Sequence, residues 1–177
     1  MEQTTFTGKI WVLSGQDGRL IEDIDTDQIY HNAFLHITDP AKMGEHALGN
    51  LEGWKDFPQK TQPGDMIIAG RNFGAGSSRQ QAVDCFHALR ISLLIAPSYG
   101  AIYFRNAVNS GFPVLKSYDV ERLVLEGSLE TGDRISVDVL SGECTNVNKN
   151  ISFSVLAMSK VQHAVYRAGG LFLYGKR

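Results

Sequence analysis

Ser77, Ser78 and Arg79 stand in a row at the end of a glycine-rich stretch, Gly70-Arg71-Asn72-Phe73-Gly74-Ala75-Gly76. Two hydroxyls beside a guanidinium form a grouping that can do chemistry. An arginine grips a carboxylate through two parallel N–H bonds, and its positive field favours the ionised form of a neighbouring hydroxyl. The apolar run Met66-Ile67-Ile68-Ala69 precedes this stretch, and Gln80 to Leu89 follows as a helix, so the order reads strand, glycine-rich turn, helix. Glycines let the backbone come close to a ligand, and a helix start offers unpaired N–H groups at its positive dipole end. Such a turn is a ready anion site. Arg79 in a first helical turn opposes the dipole, a placement that calls for an anionic partner.

The familiar phosphate and hydrolase motifs do not fit. No lysine follows Gly76, so the P-loop pattern fails; Arg79 stands where G-x-G-x-x-G needs its last glycine; and G-x-S-x-G is absent. A structural reading stays open, in which Ser77 or Ser78 is the helix N-cap and Gln81, three residues beyond Ser78, completes a capping box. One serine suffices for a cap, which leaves the other hydroxyl as a candidate base for a proton on carbon next to a carboxylate. Such a reaction also needs an electrophile for the leaving group. Cys85 and Cys144 are the two cysteines, far apart and without C-x-x-C spacing, so this chain's thiols alone build neither a zinc nor an iron–sulfur site. The grouping therefore reads as half of an active site. A non-catalytic module that holds a carboxylate metabolite or a phosphate is the alternative.

The elements that must position these residues fit one α/β domain spanning residues 1–177. Apolar content of 43% and charged content of 20% suit a globular core, and a formal charge of -2 leaves no basic footprint for nucleic acid. No apolar run reaches the ~20 residues of a membrane helix, and Met1 to Gly8 lacks the layout of a signal peptide, so the expected location is cytoplasmic. Lys9 to Leu13, Ser92 to Ala96 and Phe112 to Leu115 read as strands, with helices from about Ala101 to Asn109 and from Asp119 to Glu126. Thr38-Asp39-Pro40 predicts a helix running to Leu48. Leu51 to Gly64 reads as an ordered loop with aromatic anchors and a candidate contact surface. Ile135, Val137 and Val139, and again Ile151, Phe153 and Val155, alternate with polar residues and predict a β-pair. Ser159 caps a last helix that Gly169-Gly170 stops. Asp23, Asp25 and Asp27 fall within five positions, open to a metal site, a solvated turn or the polar wall of an active site.

Asn72-Phe73-Gly74-Ala75-Gly76-Ser77-Ser78-Arg79 resembles the N-F-G-x-G-S-S-R motif of the aconitase superfamily, and most of the chain is similar, in order, to the small subunit of isopropylmalate dehydratase and its relatives. Asp25-Thr26-Asp27-Gln28-Ile29, Ser98 to Asn106, Gly111-Phe112-Pro113 and Arg167 to Leu171 carry the rest of the resemblance. It implies a swivelling β/β/α domain that docks on a large subunit, whose cysteines hold a [4Fe–4S] cluster acting as Lewis acid. It also implies a hydro-lyase acting on a hydroxy-di- or tricarboxylic acid: 3-isopropylmalate, as in leucine biosynthesis, or dimethylmalate, citrate or homocitrate. On this resemblance Ser77 is the base, while Ser78, Arg79, Gly76, His36, Asp25 and Thr26 are expected to bind substrate. Two departures stand out: Gln80-Gln81 replaces the family's Glu-His, and Phe34-Leu35-His36-Ile37 occupies the place of a Y-L-R-[ST] loop, putting His36 for arginine.

Overall fold

A computed structural model of the chain describes residues 4–176, so the domain limits of 1 and 177 lie outside the described residues. Its centre is a seven-stranded mixed sheet in the order β4-β3-β2-β1-β5-β6-β7. β1 is Thr5–Val12, β2 Met66–Ile68, β3 Leu93–Ala96 and β4 Val114–Lys116; these four run parallel. β5 (Arg134–Asp138), β6 (Glu143–Asn146) and β7 (Ile151–Ser154) continue antiparallel from the other edge of β1.

The strands of the parallel half are buried on both faces, and the two-residue period of a strand splits their side chains between two cores. Ile67, Leu94 and Ala96 enter the first core with the helices that flank the site. Ile10, Val12, Met66, Ile68, Leu93 and Ile95 enter the second, which the antiparallel half closes with Ile135, Val137 and Val139.

Among the described residues eight short α-helices flank the sheet: α1 (Thr26–Ile29), α2 (Pro40–Met43), α3 (Phe57–Lys60), α4 (Gln81–Ala88), α5 (Ala101–Asn109), α6 (Val120–Leu125), α7 (Lys160–Ala168) and α8 (Leu171–Tyr174). Ser159 caps α7 in a reciprocal pair with Gln162, and Gly169 ends it in the left-handed region.

Four expectations need correction. The helix from Thr38 to Leu48 is broken: α2 is one turn capped by Asp39, and a 3-10 turn follows at Gly44–His46. Gly44 lies against Ala88 and Leu89, where a side chain would crowd both. The Leu51 to Gly64 loop contains α3, pinned by buried Phe57 and by the Trp54 indole N–H donating to the Ser14 carbonyl (3.3 Å). The β-pair of Ile135 and Ile151 is a three-strand meander, because β6 lies between β5 and β7. Finally, α4 starts at Gln81 with no side-chain cap, so neither Ser77 nor Ser78 is its N-cap and Arg79 precedes the helix.

Candidate active site

The segment after β2 is held open because its backbone is bonded on both sides. On one side the Gly74 amide donates to the Ile24 carbonyl (2.7 Å), and the Thr26 amide donates to the Ala75 carbonyl (3.0 Å). On the other the Phe73 amide donates to the Ser98 carbonyl (3.1 Å), and the Gly100 amide donates to the Phe73 carbonyl (2.9 Å). Isolated bridges Asp25–Ala75 and Phe73–Tyr99 record the same clamp. These bonds satisfy the loop's polar backbone and leave it no freedom to wind into the helix. Phe73 is fully buried against the edge of Tyr103. Gly74 has φ +77°, and a Cβ there would stand 2.2 Å from the Tyr103 ring. A glycine is required on both counts.

Beyond this clamp the loop turns outward. Gly76, Ser77 and Ser78 are exposed, and the Ser78 hydroxyl accepts from the Asn106 side-chain amide on α5 (3.3 Å). The Ser77 side chain has no protein partner among the described residues and faces solvent.

Arg79 folds back under the loop and is largely covered, its side chain 12% exposed. Nη1 donates to the Asp27 carboxylate (3.0 Å) and to the carbonyls of Tyr30 (2.6 Å) and Thr26 (3.3 Å). The guanidinium thus closes the carboxyl end of α1, where a cation complements the helix dipole. The anionic partner expected for Arg79 is Asp27, and the hydrogen bond from Arg79 holds the Asp27 carboxyl below its ordinary range. All these bonds leave from Nη1, and the rest of the fork has no partner among the described residues.

The other expected residues fall around this pair. Asp25 caps α1: its carboxylate accepts from the Gln28 amide (2.8 Å), and the Gln28 side chain accepts from the Asp25 amide (3.0 Å). Thr26 is buried, and its hydroxyl lies in van der Waals range of where a Cβ on Gly76 would be. His36 is exposed, and its Nδ1 is 3.0 Å from the Ala33 carbonyl; no bond joins it to Ser77 or Arg79 among the described residues. Its loop is nevertheless tied to the site, because the Asn32 amide donates to Asp27 (2.9 Å) and Phe34 stacks on His46 (3.8 Å between centroids).

Sequence reasoning left Asp27, the residue that joins these parts, undistinguished among three aspartates. The Asn50 side chain also donates to its carboxylate (3.1 Å), and His31 Nε2 lies 4.0 Å away. The signal was present: Asp25-x-x-Gln28 is a capping-box pattern, which commits Asp25 to the backbone and leaves Asp27 available. Asn106 gave no local signal, since only the packing of α5 brings it to Ser78.

Residues 50–117, which hold the loop and the strands around it, match the model of the aconitase C-terminal domain. A crystal structure of 3-isopropylmalate dehydratase from Methanocaldococcus jannaschii superposes with a TM-score of 0.82 at 31% identity, covering 97% of this chain and 93% of that one. Fold and site thus define the swivel domain of the aconitase class.

The 3-isopropylmalate dehydratase small subunit of Caldicellulosiruptor saccharolyticus is 34% identical over 93% of this chain and 91% of its own length. The 2,3-dimethylmalate dehydratase small subunit of Eubacterium barkeri is 36% identical over 86% and 90%. The methanogen homoaconitase small subunit of Methanocaldococcus jannaschii is 32% identical over 94% and 92%. The chain belongs to the 3-isopropylmalate dehydratase small-subunit family, and it is the small subunit of a hydro-lyase of this type. No helix among the described residues is long and apolar enough to cross a membrane.

Proposed function

We propose that this chain supplies the base and a carboxylate contact to an active site completed by a large subunit, and that its substrate is a hydroxy-di- or tricarboxylic acid. The observation that carries this reading is an exposed Ser77 hydroxyl, unpartnered among the described residues, with an Arg79 guanidinium already fixed in place two residues on. Names of the relatives support the substrate class: isopropylmalate and dimethylmalate are hydroxy-dicarboxylates.

In the proposed reaction the ionised Ser77 hydroxyl takes the proton from the carbon beside a substrate carboxylate. The electron pair of that C–H bond becomes the new double bond as the hydroxyl leaves the adjacent carbon. Arg79 offers its unused edge to the carboxylate, with Ser78 and the exposed backbone at Gly76 beside it. Fixed in advance by Asp27, the arginine binds without paying the ordering entropy of a long side chain. Thr26 holds Ala75 through its backbone amide and Asp25 holds α1 through its capping carboxylate, so that Arg79 has its anchor. His36, on the rim, is proposed to meet the variable part of the substrate.

The [4Fe–4S] cluster of such hydro-lyases serves as Lewis acid for the departing hydroxyl. This chain does not fit that group. Cys85 and Cys144 are buried in different cores, burial pushes the Cys144 thiol up to about 12, and no three metal-binding side chains gather among the described residues. We therefore propose that the cluster belongs to the large subunit.

The test uses the two subunits reconstituted with iron and sulfide and assayed on a panel of hydroxy acids. Ser77→Ala is expected to lower kcat by about 10²–10⁴-fold, the range for removal of a positioned base, with KM nearly unchanged. Wild-type turnover by this variant would contradict the assignment. Turnover by the small subunit alone would contradict the shared site.

A further inference from the structure

No residue of helix α8 is buried. Leu171, Phe172, Leu173 and Tyr174 are 48%, 74%, 49% and 38% exposed, four large apolar side chains in succession. Such a run is costly to leave in water unless another surface covers it. Its surroundings indicate which surface.

α8 lies at one end of α5, and the catalytic loop lies against the other part of the same helix. Gly111, just beyond α5, packs so tightly on Gly169 and Gly170 that a Cβ there would stand 2.9 Å from the Gly170 nitrogen. Ile102, Arg105, Asn106 and Asn109 fall at the spacing of one helix face, with Asn106 bonded to Ser78 and Ile102 42% exposed. At 1.5 Å per residue, Asn106, which bonds Ser78, stands only about 5 Å along α5 from Asn109, against which Gly170 at the start of α8 packs. A protein that closes over Ser77 therefore also runs over the stripe and onto α8.

The charges point the same way. No Asp or Glu occurs between Cys85 and Tyr118, and none from Cys144 to the end, although the whole chain is net negative. Arg105 on the α5 stripe and Lys176 just after α8 are exposed, with the Lys176 ammonium over the Phe172 ring at 4.2 Å. A second copy docked face to face would set basic rim against basic rim, which opposes association.

We propose that α8 and the outer stripe of α5 are the seat of the large subunit, which presents there an apolar groove edged with carboxylates. This rests on the two-subunit reading given above. The experiment measures binding of the full-length chain to its large subunit by titration calorimetry, with thermal unfolding to confirm that each variant is folded.

Phe172→Ala is expected to weaken binding about thirtyfold, as truncation of a buried aromatic anchor does, while kcat at saturating large subunit stays at the wild-type value. Lys176→Glu is expected to weaken it several-fold and to reduce its salt dependence. Ser77→Ala should do the opposite, binding normally but turning over slowly. Unchanged affinity of Phe172→Ala overturns the docking face and leaves the shared site standing. Failure of the wild-type chain to bind the large subunit overturns both. Loss in Phe172→Ala of a wild-type self-association, or of binding to phosphatidylglycerol vesicles, with large-subunit affinity intact, also overturns it and assigns the patch elsewhere.

Discussion

At the scale of single residues the arrangement converges on Asp27, whose carboxylate accepts from Arg79, from the Asn32 amide and from the Asn50 side chain. Each of these comes from a different loop, so one side chain sets the relative positions of the arginine and the His36 loop. Removing its charge leaves Arg79 covered but without its counter-ion. Asp27→Asn is therefore expected to raise KM for a carboxylate substrate by about tenfold, the worth of a hydrogen bond to a charged group, with a smaller change in kcat. Stability should follow with a definite sign. Arg79 depresses the Asp27 carboxyl in the folded chain, so the pair stabilises the fold above the unfolded carboxylate value of about 4 and that contribution is lost as pH falls through the lower folded value. Thermal unfolding from about pH 5 downward should fall less steeply in Asp27→Asn than in wild type, and identical profiles would remove Asp27 from this role. The sequence placed this aspartate within a cluster of three but did not distinguish its members. What separates them is local for Asp25, a cap readable from Gln28, and long-range for Asp27, whose partner lies 52 positions away.

At the scale of elements, tertiary pairing overrode local preference where the site is built. Ser78 and Gln81 have the spacing of a capping box, yet α4 begins at Gln81, because the bonds from Ile24 to Thr26 and from Ser98 to Gly100 pull the preceding residues into an extended path. Helix propensity is a weak force beside such a clamp. The parallel strands were legible because burial on both faces makes their sequences continuously apolar. β6 was not, since it carries Cys144 and Asn146 inward; Asn146 is fully buried yet satisfied, donating to the Ser128 carbonyl and to Asp133. α8 was hidden by Gly169-Gly170, which end α7 as read and also make the corner into α8. The clamp itself is testable through Gly74. Gly74→Ala combines a positive φ with a collision against Tyr103 and should cost at least about 3 kcal/mol in chemical denaturation. A loss below about 1 kcal/mol would show that the loop is not held as described.

At the scale of the whole molecule, the sheet separates two tasks. Its first core carries the loop, α1, α4 and α5 on one side, while the antiparallel half seals the second core. Of the candidate site residues, Gly76, Ser77 and Ser78 are exposed while Arg79 and Thr26 lie covered beneath them, an arrangement that suits a domain working against a partner. Everything proposed for this face turns on Ser77 removing a carbon-bound proton. The most direct measurement follows that proton: the reconstituted two-subunit enzyme is held with its hydroxy acid substrate in deuterium oxide, and deuterium entering the substrate's carbon position is recorded by NMR. Wild type should incorporate deuterium at that carbon, whereas Ser77→Ala, shown to bind the large subunit normally, should do so at least about a hundredfold more slowly. Incorporation by Ser77→Ala at the wild-type rate would contradict the account.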